Sequence, residues 1–372
     1  MRGRVRVRRV HQSDGKPLAR QQQGQGAAHN ARAANTYVKS LRHEGIVGGP
    51  GIPAPKRATI PSRQRAPTGC ARAVIPELTP MSFDADYDLA GTIHSLFIYP
   101  IKSCKGIAVQ QALLTASGLQ WDRAWMVTDP EGALRTQREL PRMVLIQPAF
   151  DGDALVLTAP DMPTLRLPTA VPPAANSATS ARVWKDTVEA RDMGDEAAQW
   201  FSQFLGAPCR LVRFNPDYRR IVDRAWTGDV EAITQFADGF PMLVTSTASV
   251  DELNHRLAAA GEATVDVRRV RPNIVIDGVE PHDEDRIDAL YIDAGAEAVE
   301  LKMAKPCSRC PMPDVNPDNA AVGTQVNGML RQYRQDPRVN GALTFGMNAI
   351  TLQGEGQVLA VGQRIAADLS FD

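Results

Sequence analysis

The sequence has no run of about 18 consecutive apolar residues, so no membrane-spanning helix is expected. It has no apolar core of roughly 7–15 residues behind its N-terminal arginines, which excludes a secretory signal. It has only five cysteines in 372 residues, Cys70, Cys104, Cys209, Cys307 and Cys310. They are too few, too scattered and odd in number for a disulfide framework, and point instead to a reducing compartment, the cytoplasm. Net charge is also absent, but the zero is a cancellation. The first eighty residues hold 15 basic and 3 acidic side chains, and the rest hold 27 and 39.

The two parts therefore read as different bodies. Residues 1–85 carry a basic, proline-rich tail with a Gln/Gly stretch and no hydrophobic period, a composition that cannot bury enough apolar surface to offset the entropy of ordering. A nucleic-acid arm and an organellar transit peptide fit it in charge alone. The better reading is a mis-assigned start, with translation beginning at Met81 and no nucleic-acid partner. A natural-protein peptide from within residues 1–75 would refute it.

From Gly91 the pattern is strand and turn. Ile93, Leu96, Ile98 and Ile101 form an apolar run, Asp129-Pro130-Glu131-Gly132 reads as a turn, and Val144-Leu145-Ile146 leads to a hairpin at Asp151-Gly152. Gly194 to Leu205 has helical period, with Ala197, Trp200, Phe201, Phe204 and Leu205 on one face and Gly206 as a stop. Cys209 reads as a buried structural thiol. In the second half a strand ending near Thr245 feeds a helix, with Ser249-x-x-Glu252 as its capping box. Val299, Leu301 and Met303 alternate with Glu300 and Lys302 as a half-exposed strand. Leu330 and Tyr333 mark a short helix, and Phe345–Leu352 with Val358–Gly362 reads as a hairpin around Gly354-Glu355-Gly356. The fold class is mostly β with minor α: a β-barrel-like domain over 91–215 followed by a second β-barrel over 225–370.

The strand after Val299 runs into Lys305-Pro306-Cys307-Ser308-Arg309-Cys310-Pro311. A lone C-x-x-C is most simply a structural pair. A zinc site needs a second pair, and His255 and His282 lack the spacing to replace it. A thioredoxin-like pair should open a helix, which Pro311 and Pro313 oppose. The sharper reading is a thiolate on a soft metal, favoured by the charges of Arg309 and Lys305 and by proline-limited freedom. Two further clusters suit an oxyanion: Lys102-Ser103 at one strand end, and Arg271-Pro272-Asn273 at another, with Arg123 as a third cation. Together they point to a large anionic metal cofactor carrying a phosphate.

The order of motifs resembles one family. Tyr99-Pro100-Ile101-Lys102-Ser103-Cys104-Lys105-Gly106, Asp122-Arg123-Ala124-Trp125, Arg271-Pro272-Asn273-Ile274-Val275, Cys307-Ser308-Arg309-Cys310 and Phe345-Gly346-Met347-Asn348 are similar to MOSC proteins, named for the C-terminal domain of molybdenum cofactor sulfurase, and most of all to amidoxime-reducing components and their bacterial relatives. The resemblance runs from about Gly91 to the C-terminus. It implies a molybdenum–molybdopterin cofactor with Cys310 as the metal's protein ligand and catalytic residue. It implies that Lys102, Ser103, Arg123, Arg271 and Asn273 hold the pterin and its phosphate, that Gly239 and Phe240 give a backbone contact, and that Ser308, Arg309 and Asn348 line the pocket. The activity implied is reduction of small N-hydroxylated substrates. Many relatives have a threonine pair where Pro313-Asp314 stands here, which alters the wall beside the metal. The four-cysteine ferredoxin domain of some bacterial relatives is not seen, so electrons are expected from a separate ferredoxin- or flavoprotein/cytochrome-type donor. A non-redox cofactor carrier and a sulfur carrier using a cysteine persulfide are the alternatives.

Overall fold

The structure is a computed structural model that describes residues 87–295 and 297–370. The reading of the N-terminal tail, and Cys70 with it, falls outside those residues. Strands of the first half are β1 (Leu89–Ile98), β2 (Gln111–Thr115), β3 (Trp125–Thr128), β4 (Ala178–Val183), β5 (Asp186–Asp192) and, after helix α1 (Asp195–Leu205), β6 (Arg210–Phe214). The second half contributes β7 (Met242–Ser246), α2 (Thr247–Ala259), β8 (Ile274–Asp277), β9 (Ile287–Ile292), β10 (Val299–Ser308), α3 (Gln325–Tyr333), β11 (Ala342–Gln353), β12 (Val358–Ala360) and β13 (Arg364–Leu369).

Seven strands close a barrel in the order β7-β8-β1-β13-β9-β10-β11, with β11 pairing back to β7. All of these pairs are antiparallel except β7 with β8. The period-two pattern explains β10: Val299, Leu301 and Met303 are buried, whereas Glu300 and Lys302 are half-exposed. The first described strand, β1, lies within this barrel between β8 and β13. Outside it, β3-β6-β5-β4 form a four-stranded sheet. Helix α1 buries Ala197, Trp200, Phe201, Phe204 and Leu205, each large side chain contributing about 1.5–3 kcal/mol, and stops at Gly206 in the left-handed conformation.

Four expectations need correction. Pro141–Leu145 is a 3-10 turn, so the strand of the Asp151-Gly152 hairpin starts only at Gln147. The cap of α2 is Ser246, whose hydroxyl accepts from the Ser249 N–H. The strand runs straight into the helix, which leaves Ser249 inside the first turn with its hydroxyl donated to buried Glu284. Val358–Ala360 does not fold back on β11; it pairs with β2, across Gln111–Leu113. Gly354 and Gly356 at positive φ turn the chain away between them. Finally, the strand does not end before the cysteine segment, because β10 extends through Cys307 to Ser308 and pairs with β11.

Candidate functional site

At the end of β1 the chain turns through Lys102 and Ser103 beside the segment that enters β3. Lys102 N–H donates to Trp125 O (2.9 Å), Trp125 N–H to Pro100 O (3.0 Å) and Arg123 N–H to Tyr99 O (2.8 Å). A barrel strand and a strand of the neighbouring sheet thus present Lys102 and Arg123 together. Asn273 enters β8, with its backbone N–H on Leu243 O and its side-chain oxygen accepting from Leu243 N–H. Asn348 lies in register with both Lys305 and Leu243, at the seam where β10, β11 and β7 meet.

These segments surround one cavity of about 290 Å³. Every site residue expected from the sequence lines it: Lys102, Ser103, Arg123, Gly239, Phe240, Arg271, Asn273, Ser308, Arg309, Cys310 and Asn348. Thr136, Trp184, Asp238, Lys305, Cys307 and Met312 also line it, whereas His255 and His282 do not. Ser103, Arg123, Trp184 and Arg271 all have positive φ without being glycine. Such strained positions persist where the surrounding structure fixes them, and they cluster at ligand sites.

Five cations and one acid line the cavity. Lys102 is buried; its ammonium donates to Phe236 O (2.7 Å) and Asp238 Oδ1 (2.5 Å). Burial pushes its pKa down, and Asp238 partly restores it. Arg123 donates to Asp122 (2.5 Å), to Asn273 Oδ1 (2.9 Å) and to Arg271 O (3.2 Å). Arg271 donates to Cys104 O (2.7 Å); burial lowers it to about 10, still charged at neutral pH. Arg309 bridges Cys307 Sγ (3.1 Å) and Val270 O (2.8 Å). Its direct thiol partner is thus Cys307. Lys305, expected to act on the thiols, has its ammonium 4.8 Å above the Trp226 ring. Asn273 also serves the fold, its amide donating to Phe97 O (3.2 Å). The Cys104 thiol, pushed up to about 12 by burial, stays protonated.

Four polar atoms on cavity-lining residues are buried with no partner in the protein: Ser103 Oγ, Thr136 Oγ1, Arg271 Nη2 and Arg309 Nε. Unsatisfied donors of this kind await an acceptor, and an anionic, phosphate-bearing group supplies several. Among the described residues no three of His, Cys, Asp and Glu gather into a metal-holding group, so a metal here must bring most of its ligands with it. The donor set therefore fits a metal carried by a phosphorylated organic ligand and touched by one thiolate.

Sequence reasoning missed Asp238, which ion-pairs Lys102, and Arg220, which holds the 235–238 backbone through Gln235 O, Ala237 O and Asp238 O. It missed Thr136, a buried hydroxyl without a partner. None of the three sits in a patterned motif.

The fold and cavity define a β-barrel protein with a cationic, thiol-bearing site. Residues 90–208 match the model of the MOSC N-terminal beta barrel domain and residues 232–366 that of the MOSC domain; the chain belongs to this family. It is similar to mitochondrial amidoxime-reducing component 1 of Homo sapiens, 40% identical over 66% of this chain and 73% of that protein. Mitochondrial amidoxime reducing component 2 of Homo sapiens is 36% identical and that of Bos taurus 38%, each over 66% of this chain and 72% of its own length. No helix among the described residues is long and apolar enough to cross a membrane.

Proposed function

We propose that this cavity holds a molybdenum–molybdopterin cofactor and that the chain reduces small N-hydroxylated compounds, drawing electrons from a separate ferredoxin- or flavoprotein/cytochrome-type donor in a reducing compartment such as the cytoplasm. The observation that carries the reading is the convergence of unpartnered Ser103, Arg271 and Arg309 atoms with a thiol pair in one cavity. The names of the relatives, amidoxime-reducing components, agree with it.

Lys102, Ser103 and Arg271 hold the phosphate. Arg123 is the brace that sets Arg271 and Asn273 in place. Cys310 is the protein's metal ligand, and Gly239, Phe240, Ser308, Arg309 and Asn348 shape the remaining wall. Bound there, the cofactor supplies the two-electron chemistry that exchanges an N–OH group and two protons for N–H and water. Met312 and Thr136 line the same cavity as Cys310, and Pro313-Asp314 stands where many relatives have a threonine pair, so this wall bears on substrate choice.

The test is molybdenum content and donor-reconstituted N-reductase activity of the full chain against Cys310→Ala. Loss of turnover in the variant is expected; undiminished turnover refutes the assignment. Stoichiometric molybdenum without turnover would point to a cofactor carrier. A cyanide-labile sulfur without molybdenum would point to sulfur transfer.

A further inference from the structure

Asp238 is the one acid among the described side chains lining the cavity, and it stands against five cations. Its Oδ1 accepts from Lys102 Nζ (2.5 Å) and from Trp184 Nε1 (2.9 Å). The Lys102 ammonium has three protons, and Phe236 O already takes another. One proton is left, and an anion that is to take more than that one must displace Asp238. The Asp238 side chain keeps 63% of its surface in solvent, while Lys102 keeps 8%. Asp238, largely in solvent, can leave the pair; buried Lys102 cannot follow it. The backbone beneath stays put, because Arg220 donates to the carbonyls of Gln235, Ala237 and Asp238.

We propose that Asp238 is a specificity-determining counter-ion, which holds Lys102 until displaced and thereby admits doubly charged phosphate groups while rejecting singly charged anions. The proposal deepens the functional reading above and rests on Lys102 as a phosphate-holding residue. A monoanion that displaces Asp238 replaces one carboxylate–ammonium pair with another and gains nothing net. A phosphate dianion carries more charge and three acceptor oxygens, and it meets the unpartnered Ser103 Oγ and Arg271 Nη2 in the same cavity. Trp184 steadies the latch: it stands at a hairpin turn with positive φ, its ring under the Arg138 guanidinium at 4.4 Å.

The test is calorimetric titration of the cofactor-free full chain with inorganic phosphate and with formate, at about pH 8 where phosphate is a dianion. Wild type is expected to take phosphate and exclude formate. Asp238→Asn should bind formate and tighten phosphate by about tenfold, the effect of removing one charge-assisted competitor, so the preference narrows. Trp184→Phe leaves every cavity charge in place, frees one side of the Asp238 carboxylate and should move both anions the same way by less. This second variant carries the test if an anion-free melting curve shows that Asp238→Asn does not fold. An unchanged phosphate-to-formate ratio in the folded variants overturns the proposal. So does weaker phosphate binding in Asp238→Asn, which would mean that Asp238 serves to keep Lys102 charged. No phosphate binding by any form would overturn the reading of Lys102 itself, and the proposal with it.

Discussion

Arg123 and Arg271 both lie over the ring of Tyr99, their guanidinium carbons 4.4 and 4.2 Å from its centroid. Two like charges are thus held on one buried aromatic, while Asp122 takes up one of them through Arg123 and anchors Tyr99 N–H (2.8 Å). Burial pushes the tyrosine hydroxyl up to about 12, against the pull of both arginines, and that hydroxyl has no partner. The ring, not the hydroxyl, is the working part. Tyr99→Phe should therefore change stability by less than about 1 kcal/mol, whereas Tyr99→Ala should lose about 3–5 kcal/mol and the phosphate affinity with it. Urea unfolding gives the first quantity and phosphate titration the second. Equal losses in the two variants would show that the hydroxyl matters.

The two thiols should separate cleanly. Cys307 is the one that touches Arg309 and Cys310 has no such contact, which agrees with the proposed assignment of the metal to Cys310 and of a positioning role to Cys307. Cys310→Ser is expected to lose most of its molybdenum. Cys307→Ser keeps an acceptor near Arg309 and should retain molybdenum to within about twofold, as hydrogen-bond replacements are worth about 1 kcal/mol or less. Metal analysis of both purified variants decides; molybdenum lost from Cys307→Ser and kept in Cys310→Ser would reverse the assignment.

His282 sets a pH dependence. Both ring nitrogens are buried without partners, beside Tyr333 and Phe345. Desolvation, with Arg334 and Arg256 nearby, lowers its pKa from 6.5 to about 3. The unfolded chain therefore takes up a proton near pH 6.5 that the folded protein refuses until about pH 3. Stability from this source is complete above pH 6.5 and is lost as pH falls through that window. Melting temperature should fall with pH below that point, and His282→Asn, which tolerates the left-handed backbone here, should flatten the slope. An unaltered slope would place the acid sensitivity elsewhere.

What could be read from the sequence was what repeats or what carries unusual chemistry. The alternation of Val299, Leu301 and Met303 shows β10, and the apolar face from Ala197 to Leu205 shows α1. Lys102, Arg123, Arg271, Lys305, Arg309 and the Cys307/Cys310 pair stood out one by one, and these reach one cavity. Partner choice was not legible. Nothing in Val358–Ala360 says that it pairs with a strand some 245 residues earlier. Nothing in Asp238 or Arg220 announces a counter-ion or a clamp, because such roles come from long-range hydrogen bonds. Ser249 looked like a cap on local spacing and lost the place to Ser246, where strand β7 ends.

Gly346 closes the barrel where this cavity is built. It has φ +73, and a Cβ added there would stand 2.6 Å from Val244 O and 3.3 Å from Thr245 Cβ. The obstruction is backbone, so no side-chain rotation relieves it. The same stretch pairs Leu243 with Asn348 and Val244 with Met347, the seam that closes β11 onto β7. Gly346→Ala is expected to cost about 1–3 kcal/mol from the left-handed conformation alone, and more as the seam is forced apart. Displacing β11 also displaces Asn348 relative to Lys305, across from it on β10. Stability and phosphate binding should therefore fall together in this variant. As a control, Gly152→Ala has positive φ but open space at its tip, and should cost only the backbone strain with binding unchanged. A Gly346→Ala protein that melts like Gly152→Ala and binds phosphate normally would mean that the barrel seam yields without moving the site.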